Sequence, residues 1–116
     1  MNIKDIKGID RINSKFYKDI ETLIANAKTN VDISKIVAFG RTLDTKTGDL
    51  DPDDDLTIAV YLNNNKTYTE DDLYEYNEQL EKGTHIIYVC IMEWSDYVNN
   101  EAMNRDIKKG VVLYGK

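Results

Sequence analysis

The chain has 116 residues, with 15 Lys or Arg against 21 Asp or Glu and a formal net charge of −6 at pH 7. Its length suits one domain around one core, and its acidity argues against a protein that grips nucleic acid through a basic groove. With 41% hydrophobic residues, including eight Tyr, two Phe and one Trp, the chain has enough apolar mass to exclude wholesale disorder.

Ile12, Phe16, Ile20, Leu23, Ile24 and Ala27 recur at spacings of three and four. This predicts an amphipathic helix from about Asp10 to Lys28, capped by Asp10 or Asn13 and stopped at Thr29-Asn30. Lys35 to Gly40 is a short apolar run closed by glycine, read as a buried strand ending in a tight turn. Thr42 to Pro52 is polar and reads as a loop or a frayed hairpin before the next strand, with Thr47-Gly48-Asp49 as its turn. From Asp55 the chain alternates, with Leu56, Ile58, Val60 and Leu62 on one face and Thr57, Ala59 and Tyr61 on the other, which predicts a second strand.

Thr69 to Asp72 has the form of a capping box, opening a short helix through Leu73, Tyr76 and Leu80 to Gly83. A third strand is expected over His85 to Trp94. Ser95-Asp96 begins a turn or helix running through Ala102, Met103 and Ile107 to Lys109-Gly110, and Val111 to Tyr114 closes the chain as a last short strand or extended tail. Pro52 is the single proline, and there is no internal repeat. The expectation is one α+β domain over residues 1–116, a small mixed sheet with helices packed on one face.

One cysteine and one histidine offer little to zinc sites, thiol catalysis or a Ser/His/Asp triad, so chemistry falls to carboxylates. Cys90 lies in the apolar run Ile86 to Met92 and reads as a buried strand residue rather than a reactive thiol. Tyr76 and Tyr88 read as packing residues and His85 as a surface or edge residue. Lys108-Lys109 suits the carboxyl end of a helix, where cations complement the dipole. No apolar run approaches the ~20 residues of a bilayer span, and the first residues lack the apolar centre of a secretion signal. The expected compartment is the cytoplasm, with no membrane association.

The densest feature is Asp49-Leu-Asp-Pro-Asp-Asp-Asp55, five carboxylates within seven residues. Like charges this close repel unless a cation sits among them, which invites a divalent metal. Asp53 and Asp55 share parity with Thr57 and Tyr61. If strand geometry begins by Pro52, both point to the face opposite Leu56, Ile58 and Val60 and can hold Mg²⁺ together. An EF-hand is excluded, because the loop has no glycine at its sixth position and Leu62 at its twelfth. Upstream, the turn at Gly40 exposes backbone amides that can receive phosphate oxygens.

Taken in order, Ile36-Val-Ala-Phe-Gly-Arg41, a spacer, and Pro52-Asp-Asp-Asp-Leu-Thr-Ile-Ala-Val60 resemble the minimal nucleotidyltransferases of the DNA polymerase beta superfamily. Their signature is an apolar strand ending Phe-Gly-Ser, then Asp-x-Asp entering a second strand. The closing segment Arg105 to Tyr114 is similar to the tail of that family. The resemblance implies a nucleotidyltransferase that uses Mg²⁺ and a nucleoside triphosphate, ATP foremost. Gly40 and Arg41 would lie against the triphosphate, Asp53 and Asp55 would be metal-binding and catalytic, and Glu93 is the candidate third carboxylate. It also implies an acceptor partner, such as the helical toxin with which small members pair as antitoxins, and leaves room for a homodimer; nucleic acid is not among the expected partners.

This chain departs from the signature at three places. Arg41 replaces the serine, offering a forked guanidinium instead of a hydroxyl. Asp54 stands where the family has an apolar residue. The third strand carries Tyr88 and Cys90 near the expected carboxylate, with Glu93 further along, and a thiol does not replace oxygen on Mg²⁺. Two alternatives stand beside an active enzyme: a catalytically degenerate relative that binds a partner, and an acidic module that binds a basic protein.

Overall fold

The structure, a computed structural model, describes residues 2–45, 49–51, 53–91 and 101–115, with the side chain of residue 103 set aside. Glu93, Trp94, Ser95-Asp96, Pro52 and most of the Thr47-Gly48-Asp49 turn lie outside the described residues. Three short 3-10 turns, Ile3–Asp5, Ile9–Arg11 and Ser14–Phe16, lead into helix α1, Tyr17–Lys28. Strands β1, Ile33–Phe39, and β2, Leu56–Leu62, follow, then α2, Glu70–Glu81, β3, Ile87–Ile91, α3, Glu101–Lys108, and β4, Val111–Tyr114.

The four strands form one sheet in the order β3-β2-β1-β4. β1 runs antiparallel to β2 and β4, while β2 and β3 are parallel. A parallel pair cannot be joined by a tight hairpin, and α2 lies in the connection between β2 and β3. The fold is the small mixed α+β sheet that the sequence pattern predicts.

The alternation of β2 sorts the core. Leu56, Ile58, Val60 and Leu62 join Ile36 and Ala38 of β1, Val89 of β3 and Leu113 of β4. Against them pack Phe16, the α1 stripe Ile20, Leu23, Ile24 and Ala27, and Leu80 of α2. Each large aliphatic side chain removed from water in this way stabilises the fold by roughly 1.5–3 kcal/mol. On the opposite face Val37, Phe39, Ala59 and Ile107 make a second, smaller cluster with Tyr61 against it.

The first helix begins later than the stripe suggests. Ile12 and Asn13 are extended, with ψ of 131° and 138°, and the Asn13 side chain accepts from the Lys15 amide at 2.9 Å. This local bond favours a turn over helix continuation, so α1 starts at Tyr17. Ile12 is still buried in the main core, since the preceding turns lay it on the same surface. The second helix starts as expected: the Thr69 hydroxyl accepts from the Asp72 amide and the Asp72 carboxylate accepts from the Thr69 amide.

Polar contacts tie the elements. Asp19, buried on α1, accepts from the backbone amides of His85 and Ile86 at 2.9 and 2.7 Å and so fixes the entry to β3. Asn26 donates to the carbonyls of Leu80 and Lys82 at the end of α2. At the end of the sheet where β1 begins, Asp32 accepts from Tyr76 Oη at 2.6 Å and pairs with Lys66 at 2.7 Å. Lys66 and Tyr76 thereby hold the Asp32 carboxyl below its ordinary value. Among the described residues no helix is long and apolar enough to cross a membrane.

Candidate functional site

β1 ends at Phe39 and β2 opens at Leu56, and Phe39 pairs with Thr57, so the bend after β1 and the acidic run before β2 meet at one end of the sheet. Gly40 makes the bend with φ of 99°. A Cβ at this position would meet Thr57 Cβ at an ordinary 3.8 Å, so the left-handed backbone rather than lack of space calls for glycine.

The chain beyond Gly40 is tightly held. Leu43 N donates to Gly40 O at 3.3 Å, and Thr45 Oγ1 donates to Arg41 O at 2.6 Å. Asp44 also adopts a left-handed conformation, with φ of 62°. Its amide donates to Arg11 O at 2.8 Å, and its carboxylate takes Arg11 Nε and a terminal Arg11 nitrogen, each at 3.0 Å. The Arg11 guanidinium holds the Asp44 carboxyl below its ordinary value and is itself raised. Thr42 is buried, and its hydroxyl has no hydrogen-bond partner among the described residues.

The three consecutive aspartates have different environments. Asp54 N donates to Asp51 O at 3.1 Å, closing a turn, and the Asp54 side chain is only 9% exposed. Its Oδ1 pairs with a terminal nitrogen of Arg41, and its Oδ2 accepts from Asp51 N at 2.8 Å. Asp53 and Asp55 are exposed, and among the described residues neither carboxylate takes a hydrogen bond or ion pair. The strand begins at Leu56 rather than by Pro52, so strand parity does not extend back to Asp53. What the structure places together is two open carboxylates flanking a buried one, next to the Gly40 bend through the Arg41–Asp54 contact.

The parallel register sets Tyr88 beside Thr57 and Cys90 beside Ala59, and paired residues share a face. Tyr88 is 57% exposed, which corrects its reading as a packing residue, whereas Tyr76 does pack against the main core. Burial pushes the half-buried Cys90 thiol up. β3 therefore brings no carboxylate to this face between Ile87 and Ile91, and Glu93 lies outside the described residues.

Beside the bend opens a cleft of about 410 Å³, bordered by Gly40, Arg41, Leu43, the Arg11–Asp44 pair, Asp106 and Lys109. Asp53 and Asp55 do not line it. Among the described residues no three His, Cys, Asp or Glu side chains gather closely enough to form a complete metal cage. Two open carboxylates still match the donor set of Mg²⁺, which takes one or two carboxylates and fills its remaining positions with water and phosphate oxygens.

The sequence foretold the glycine bend and the acidic run. It did not foretell the burial of Asp54, the Arg41–Asp54 contact or the Arg11–Asp44 clamp. Only the presence of Asp54 where the resembling signature is apolar marked that position as different. No family model matches this chain, and no curated protein matches it.

Proposed function

We propose that the chain is a nucleotidyltransferase-like domain that binds a nucleoside triphosphate with Mg²⁺ and transfers a nucleotidyl group to a partner protein. What supports this reading is the meeting of the Gly40 bend and the Asp53/Asp55 pair at one end of a mixed sheet. In the reaction an acceptor oxygen bonds to the α-phosphorus, the bond to the bridging oxygen of the β-phosphate breaks, pyrophosphate leaves and the acceptor proton passes to solvent. Asp53 and Asp55 would hold the metal, which when bound neutralises charge on the phosphates. Gly40 has no side chain to block the approach of phosphate oxygens, and Arg41 supplies a guanidinium to them.

A second reading is favoured by one observation. The β3 positions beside β2 carry Tyr88 and Cys90 rather than a carboxylate, as expected of a chain that keeps the fold and binds a partner, such as a helical toxin, without turnover. Titration calorimetry of ATP and the other triphosphates, with and without Mg²⁺, on the parent and on Asp53→Asn/Asp55→Asn tests the first reading. Metal-dependent binding lost in the variant supports it, and absence of binding to every triphosphate overturns it. With binding in hand, α-phosphate-labelled ATP incubated with a co-purified partner separates the two: label on the partner shows transfer, and none shows a binding module.

A further inference from the structure

Across the end of the sheet that carries the bend, three residues stand in one row. A Cβ on Gly40 would lie 3.8 Å from Thr57 Cβ and 3.9 Å from the Thr57 hydroxyl, and Thr57 is in register with Tyr88 on the parallel strand β3. Paired residues share a face, and neighbouring strands lie about 4.8 Å apart, a gap shorter than a tyrosine side chain. Tyr88 is 57% exposed, and its hydroxyl makes no hydrogen bond among the described residues. The other hydroxyls around the bend are less free. Thr42 is buried, Thr45 donates to Arg41 O at 2.6 Å, and Thr57 lies against Gly40 and is half-buried. Asp55 precedes Thr57 by two positions and is open to water, so a carboxylate of the proposed metal site and the phenol both neighbour Thr57.

We propose that Tyr88 is a nucleotidyl acceptor within the chain, taking the nucleotidyl group from the triphosphate bound beside Gly40. The phenolic oxygen bonds to the α-phosphorus, the bond to the oxygen bridging the α- and β-phosphates breaks, pyrophosphate leaves and the phenolic proton passes to solvent. The inference rests on the nucleotidyltransferase reading and adds the chemical class of one acceptor, a phenol fixed on β3. A phenol gives up its proton more readily than an aliphatic alcohol does. Because the strand holds the acceptor beside the site, transfer is unimolecular once the triphosphate is bound.

The test incubates the intact chain with Mg²⁺ and ATP, and in parallel with the other triphosphates, and reads its mass and its peptide map. It is run on the parent, on Tyr88→Phe and on Asp53→Asn/Asp55→Asn, beside calorimetric titration of the parent with each triphosphate and Mg²⁺. The parent gains the mass of one nucleotidyl group, the gain maps to Tyr88, and dilution of the chain leaves its rate unchanged. Neither variant gains mass, and Tyr88→Phe melts at the parent's temperature. A gain on any other residue, an equal gain by Tyr88→Phe, or a fractional rate that rises with chain concentration overturns the inference. Mg²⁺-dependent binding by the parent with no gain in mass keeps the nucleotide reading and removes Tyr88 as acceptor. Absence of binding as well removes both.

Discussion

At position 54 a carboxylate lies between a guanidinium and an amide, while the aspartates on either side stay in water. Local sequence cannot distinguish these three residues, because their difference comes from Arg41, thirteen positions away along the chain. The same holds for Asp44 and Asp32, each held by a distant cation. Both carboxyls are depressed below the ordinary value of 3.8, so in acid the unfolded chain takes up protons before the native chain does. Their stabilisation is present in full above the unfolded value and is lost as pH falls below about 4, through the depressed native values. The thermal midpoint followed from pH 6 to pH 2.5 should fall in that acid window, modestly for each pair because both are solvent-screened. Asp44→Asn/Asp32→Asn should start lower and lose less; a parallel descent of the two curves would contradict this assignment.

Elements were legible where the signal was local. The reciprocal cap at Thr69 and Asp72 and the alternation of β2 depend on neighbours a few residues apart, and both are found where expected. α1 starts later than its apolar spacing implies, because that spacing reports which residues reach the core, and turns can carry Ile12 there as well as a helix does. Gly110 reads in the sequence as a helix stop, yet its place in the fold is set by close approach. A Cβ there would lie 2.3 Å from Ala38 O and 2.7 Å from Val37 Cγ1. The first of these is backbone and cannot swing aside, so Gly110→Ala must push α3 and β4 away from β1. We expect a loss of about 1–3 kcal/mol, measured by urea unfolding; an unchanged midpoint would show that the strands yield freely.

Across the whole molecule, the sequence indicated the order of elements and a mixed sheet but not the order of strands, because pairing between distant segments leaves no local trace. Among the described residues β1 and β2 are flanked on both sides, while β3 and β4 are each paired to one neighbour. Amide hydrogen exchange should therefore be slowest in Ile36–Ala38 and Ile58–Val60, approaching the rate of global unfolding, and faster in Val111–Tyr114. Equal protection of β4 and β2 would argue against this arrangement. The contact between Arg41 and Asp54 also matters at this scale, because it ties together the two ends of the connection between β1 and β2. Freezing a long side chain on binding costs about 0.5–1.5 kcal/mol. Here folding has already aimed the Arg41 guanidinium at Asp54, so an anion bound there as proposed would find little of that entropy left to lose on association.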